Sequence, residues 1–155
     1  MRKEAWTAAG VFLADRLTKA LSVRIPPEGT ALIPGVLGLR QARNTGMAFS
    51  LLSGMPWVLG LLSLGIIAAA FLALRKKRLH PLATAGLMLM LGGAAGNMLD
   101  RFALGFVPDM IEFLFVEFAV FNVADTFLCI GCGLLIIALL LNRDVLPDGE
   151  GKKDE

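Results

Sequence analysis

From Pro56 to Leu74 the chain places no charged residue, and from residue 121 to 141 it places only Asp125. Apolar runs of about 20 residues match the hydrocarbon core of a bilayer when helical. Lipid offers the backbone no partners, so such a run has to satisfy its own amides as a helix. Two further segments are long enough to span, residues 81–99 and, with a polar second half, residues 5–21. Hydrophobic residues make up 56% of the chain and charged ones 18%. That balance leaves too little polar surface for a soluble domain of 155 residues and indicates an integral membrane protein. The expected fold is an all-α membrane protein, one domain over residues 1–155. It has four transmembrane helices at about 5–21, 56–74, 81–99 and 121–141.

Between the first two spans, residues 22–55 do not continue a helix, because Pro26-Pro27, Gly29, Pro34-Gly35 and Gly38 interrupt it. Val36-Leu37-Gly38-Leu39-Arg40-Gln41 has weak strand character, so a small β element beside the membrane is expected. The N-terminus, Met1-Arg2-Lys3 before an apolar run, has the look of a secretory signal. The run leads into Asp15-Arg16 and not into a small-x-small cleavage site, so it reads as a retained first span. Gly92 and Gly96 form a G-x-x-x-G pair suited to close helix approach. Trp6 and Trp57 suit the membrane interface.

Arg and Lys placement orients the bundle. Arg75-Lys76-Lys77-Arg78 is the dense basic run, and it sets the loop at 75–80 on the cytoplasmic side with both termini and the tail 142–155. Loops 22–55 and 100–120 then lie outside the cytoplasm. The expected arrangement is multi-pass in a cell membrane. In this topology the polar residues of four segments gather at the outer end of the bundle: Asp15 to Lys19, the Asn44 region, Gly96 to Arg101, and Asn122 to Asp125. Asp109 lies in the connection between the last two spans.

An Asp or Arg at a bilayer centre costs on the order of 3 kcal/mol, so such a cluster marks a functional site by default. Asn97, Asp100 and Arg101 share a helix face, as do Asn122 and Asp125. Asp15 and Lys19, four apart, are placed to pair. His80 falls at the opposite end and no activated Ser or Cys arrangement is present, which leaves carboxylate chemistry. Two carboxylates about 3 Å apart share one proton, so one serves as base and the other as acid. A small proton- or ion-translocating protein would use the same groups, and so would helix ends locked by ion pairs. The residues alone leave these three readings open. Cys129 and Cys132 lie in an apolar run without a second pair and read as packing residues, not a redox or zinc site. Glu112 and Glu117, among Phe113, Phe115 and Phe118, read as solvated charges. No metal or other cofactor is expected.

The blocks Asn44-x-Gly46-x-Ala48-Phe49, Gly96-Asn97-x-x-Asp100-Arg101, Val107-Pro108-Asp109-Met110-Ile111 and Phe121-Asn122-x-Ala124-Asp125 closely resemble lipoprotein signal peptidase, the type II signal peptidase of bacteria. Asp15-Arg16-Leu17-Thr18-Lys19 is similar to that family's first-helix motif, and the blocks follow the family's order from about Asp15 to Leu141. The resemblance implies an intramembrane aspartic endopeptidase. It would remove signal peptides from diacylglyceryl-modified prolipoproteins, cutting before the lipidated cysteine. It implies a catalytic dyad of Asp109 and Asp125, with Asn44, Asn97, Arg101 and Asn122 positioning substrate. Asp15, Lys19, Asp100 and Gly46 would be supporting residues, and Asp100 is not a dyad member in the family pattern. The small β element and a mobile lid-like loop would correspond to residues 22–55 and part of 100–120. Pro108 departs from the aliphatic residue expected before the catalytic Asp. The implied partners are prolipoprotein substrates and membrane lipid, without nucleic acid, and the expected state is a monomer.

Overall fold

The structure, a computed structural model, describes residues 2–46, 52–75 and 79–141. Residues 47–51, the centre of the basic run at 76–78 and the tail 142–155 lie outside the described residues. Four helices and three strands follow in the order α1 (Arg2–Ser22), β1 (Thr30–Ile33), β2 (Leu37–Asn44), α2 (Pro56–Leu74), α3 (Pro81–Leu104), β3 (Val107–Phe113) and α4 (Val123–Leu141).

Local chemistry starts and stops these helices. Pro56 and Pro81 open α2 and α3, where the missing N–H is no loss. His80 caps α3 by accepting the Leu82 N–H on Nδ1 at 3.3 Å. Gly105 ends that helix in the left-handed region at φ 78°, with its N–H donated to Arg101 O. Asn122 caps α4, its Oδ1 accepting the Asp125 N–H at 2.9 Å.

The helices α2, α3 and α4 are, among the described residues, long and apolar enough to cross a membrane. Helix α1 has similar length, but its second half holds Asp15, Arg16 and Lys19. Its buried face is Val11, Asp15, Lys19 and Ser22, while Leu13, Leu17 and Leu21 point outward. The whole bundle is arranged this way: Trp57, Leu61, Phe71 and Leu140 are exposed, and Asp15, Asn97, Asp100 and Asn122 are buried. Such a bundle has no hydrophobic drive between its helices and depends on close packing and polar contacts. The glycines supply the first. A Cβ on Gly131 would sit 2.6 Å from Gly86 O, and one on Gly86 would sit 2.6 Å from Gly131 O, so α3 and α4 touch backbone to backbone. Gly92 and Gly96 face α1, where Gly96 leaves room for the Asp15 carboxylate.

Helix α3 runs five residues beyond the end expected at Leu99, carrying Asp100 and Arg101 inside it. Hydropathy falls at these charges, but both side chains find partners within the protein, so the helix continues. The connection expected after it holds a strand. The sheet order is β1-β2-β3, all antiparallel. Pro108 is tolerated because β3 is an edge strand of this sheet. Leu39 pairs with Ile111, a bulge follows, and then Ala42 pairs with Asp109 and Asn44 with Val107. Ile111 also bridges to Phe121, tying the edge strand to the start of α4. Glu112 pairs with Arg40 across the strands at 2.7 Å.

Candidate active site

Three elements bring the polar residues together: the end of α1, the last turns of α3 and the start of α4, with the sheet laid over them. Along β3, Val107 and Asp109 face inward and are buried. Ala42 opposite Asp109 is small, and Asn44, two residues on, lies diagonal to it. Asn44 Nδ2 donates to Asp109 Oδ2 at 2.9 Å. Asn122 Nδ2 donates to Asp109 Oδ1 at 2.6 Å.

Asp125, in the first turn of α4, is held by a matching pair of donors. Asn97 Nδ2 donates to its Oδ1 at 2.7 Å, and the Asn122 backbone N–H donates to its Oδ2 at 3.2 Å. Asn122 therefore touches both aspartates and is itself wholly buried. Its Nδ2 also donates to Asn97 Oδ1 at 3.2 Å, which links the two amides. Burial raises the Asp109 pKa from the ordinary 3.8 to about 6. The Asn122 donor opposes the rise, the charge of Asp125 adds to it, and the Asn44 donor and Lys19 oppose it further. A carboxyl near 6 exchanges its proton close to neutrality, as a general acid or base must.

Beneath the aspartates lies a cluster of two cations and two anions, of which Asp15, Lys19 and Asp100 are buried and Arg16 is partly exposed. Lys19 Nζ donates to Asp15 Oδ2 at 2.9 Å, to Asp100 Oδ2 at 2.7 Å and to Asn97 Oδ1 at 2.8 Å. Arg16 forks onto Asp100 with bonds of 2.6 and 2.7 Å, and reaches Asp15 Oδ2 at 2.8 Å. Asp15 Oδ1 accepts the Ala124 N–H at 3.2 Å, so α1 also holds the N-terminus of α4, where a negative charge is favoured.

Arg101 turns away from this cluster. Its guanidinium donates to Gly46 O at 3.1 Å and to Asn97 O at 3.4 Å, and it makes no ion pair with Asp100 among the described residues. Gly46 in turn donates its N–H to Asn44 Oδ1 at 2.9 Å, which fixes the amide that holds Asp109. All ten residues singled out in the sequence, Asp15, Lys19, Asn44, Gly46, Asn97, Asp100, Arg101, Asp109, Asn122 and Asp125, thus fall in one connected site. Arg16 was not assigned a role from the sequence. The available signal was its place between Asp15 and Lys19, three residues before the lysine and on its face. Cys129 and Cys132 are free and exposed on α4, so they do not pack between helices as expected.

A cavity of about 600 Å3 opens on the α1 side of the sheet, and its lining includes Arg16, Lys19, Gln41, Arg43, Asp100 and Asp109. Asp109, held by two amides at this opening, can bind a water and exchange a proton with it.

The chain is similar to known proteins over most of its length. A family model described as signal peptidase (SPase) II matches residues 7–141. The lipoprotein signal peptidase of Thermosynechococcus vestitus is 41% identical over 141 residues, covering 84% of this chain and 87% of the relative. That of Latilactobacillus sakei subsp. sakei is 37% identical over 143 residues, covering 89% and 93%. A solved bacterial membrane enzyme superposes with a TM-score of 0.85 at 28% identity, over 98% of this chain and 96% of that one. With a match over nearly its whole length and relatives at about these identities, the chain belongs to the signal peptidase II family.

Proposed function

We propose that this chain is an intramembrane aspartic endopeptidase that removes signal peptides from diacylglyceryl-modified prolipoproteins, cutting before the lipidated cysteine, with Asp109 and Asp125 as its dyad. The observation that carries this reading is the double contact of Asn122, whose amide and backbone bond to both aspartates. Membership of the signal peptidase II family supports the substrate class.

In this mechanism the pair shares one proton. The ionised carboxyl takes a proton from a water as it attacks the scissile carbonyl, and the protonated carboxyl donates to the carbonyl oxygen. The tetrahedral intermediate collapses as the leaving amine takes a proton from the dyad. Asn44, Asn97 and Asn122 present donors to the carboxylates, so the pair needs little reorganisation during reaction. Arg101 and Gly46 set the edge along which the substrate backbone lies.

The same residues support a membrane arrangement. Helix α1 serves as a fourth span, since its charged face is covered by α3 and α4 while Leu13 and Leu17 meet lipid. The site then lies near the outer leaflet of the bacterial inner membrane, with both termini cytoplasmic and the enzyme acting as a monomer. The test is cleavage of a lipidated prolipoprotein by Asp109→Asn and Asp125→Asn, each alone. Both are expected to be inactive while folded, and wild-type-like cleavage by either removes that residue from the dyad.

A further inference from the structure

The cluster of Asp15, Arg16, Lys19 and Asp100 touches neither Asp109 nor Asp125 with an ion pair, yet it determines what one of them sees. Lys19 is buried and uses all three of its N–H bonds. An ammonium only donates. The Asn97 atom 2.8 Å from it is therefore the amide oxygen, and the NH2 group must point the other way. That direction ends at Asp125 Oδ1, 2.7 Å away. Asn122 Nδ2 also donates to that oxygen, at 3.2 Å, so the lysine supplies the shorter and charged one of the two contacts that distinguish the ends of Asn97, and its loss leaves only the weaker. A flipped amide would set its oxygen against the Asp125 carboxyl.

Lys19 is in turn braced by carboxylates that it does not hold alone. Arg16 binds both oxygens of Asp100 and one of Asp15, so two cations balance two anions. Remove the guanidinium, and two buried carboxylates compete for one ammonium. The lysine is then drawn toward them and away from Asn97.

We propose that Arg16 and Lys19 are positioning residues for the dyad: Lys19 fixes the orientation of the Asn97 amide that holds Asp125, and Arg16 anchors the carboxylates against which Lys19 is braced. This rests on the reading of Asp125 as a dyad member. Neither side chain touches the substrate in this scheme, so both act on turnover and not on binding.

The experiment is a double-mutant cycle on prolipoprotein cleavage by purified enzyme, with Lys19→Met, Asn97→Ala and the pair. Each single change is expected to lower kcat by about 100-fold with KM nearly unchanged, as for a misplaced reacting group. The pair should lose no more than the worse single variant, because both remove the same contact. Arg16→Met is expected to lower kcat about tenfold, with Arg16→Lys recovering most of it. Where Lys19→Met fails to fold, Lys19→Met with Asp100→Asn keeps the cluster at zero net charge and is measured in its place. Losses from Lys19 and Asn97 that multiply overturn the proposal, as does a wild-type rate in the charge-balanced variant. Asp125→Asn is run beside them. If it cleaves, the dyad reading falls and takes this proposal with it; if it is inactive while the cycle shows independence, this proposal alone falls.

Discussion

The Asn122 side-chain nitrogen lies 2.6 Å from Asp109 Oδ1. The same residue begins α4 and accepts the Asp125 N–H on its own Oδ1 at 2.9 Å. One residue thus starts a helix and joins two carboxyls that are far apart in mechanical terms, its side chain bonding to the one on a strand and its backbone N–H to the one on a helix. Asn122→Ala removes the cap and the bond to Asp109 while leaving the backbone bond to Asp125. It is expected to lower cleavage by about 100-fold or more and to lower stability by about 1 kcal/mol through the lost cap. Asn122→Asp keeps a capping oxygen but buries a third carboxylate beside the pair, so it should be no more stable than Asn122→Ala and equally inactive. Thermal unfolding and cleavage measured together check this, and an active Asn122→Asp enzyme would remove Asn122 from the site.

Asp109 gives the activity a pH signature. Its pKa is raised to about 6, so the folded protein holds a proton there that the unfolded chain gives up near 3.8. The stability carried by that proton is present below the unfolded value and is lost as pH rises through about 6. Cleavage is expected to rise through the same range as the base ionises. The Asn44 donor favours the ionised form, so Asn44→Ala should move this acid limb upward, by up to about one unit for one lost hydrogen bond. An acid limb that stays in place in Asn44→Ala would show that Asp109 does not govern it.

Asp100 and Asp109 should respond differently to neutralisation. Asp100 anchors both Arg16 and Lys19, so Asp100→Asn leaves the buried Lys19 and the partly exposed Arg16 facing Asp15 alone. Breaking a buried pair in this way costs roughly 3–5 kcal/mol. Asp100→Asn is expected to unfold at a lower temperature than Asp109→Asn, yet to retain measurable cleavage where Asp109→Asn retains none. A well-folded, wholly inactive Asp100→Asn protein would contradict the division of roles.

Packing between α3 and α4 is open to a matched comparison. Gly131→Ala places a methyl group 2.6 Å from the Gly86 carbonyl oxygen, so the helices have to separate. A loss of about 1–3 kcal/mol is expected from such overpacking. Gly133, one turn-face away, meets nothing within 4 Å, and Gly133→Ala should leave the unfolding temperature unchanged or slightly higher. Equal behaviour of the two variants would argue against the close approach.

Hydropathy made α2 and α4 legible, because α2 carries no charge and α4 only Asp125 in its first turn. The final turn of α3 was not legible: Asp100 and Arg101 look like a helix boundary until their partners on α1 and near Gly46 are known. Strand β3 was hidden for a related reason. Pro108 argues against a strand in general, and only its place at the sheet edge removes the objection. The residue types of the site could be read from the chain, since buried Asp, Asn and Lys are costly in lipid. Their pairing could not. The bond from Asp15 to Lys19 lies within one helix turn and was foreseen, whereas Arg16 with Asp100 joins two helices and was not.

Asp109 rides on the sheet and Asp125 on the bundle. On the proposed mechanism, peptidase competence is therefore a property of how two layers dock and not of either layer alone. An inhibitor need not occupy the cleft to silence such an enzyme. A wedge that lifts the edge strand from the helix tips would carry half of the chemistry away with it, and would leave each half intact.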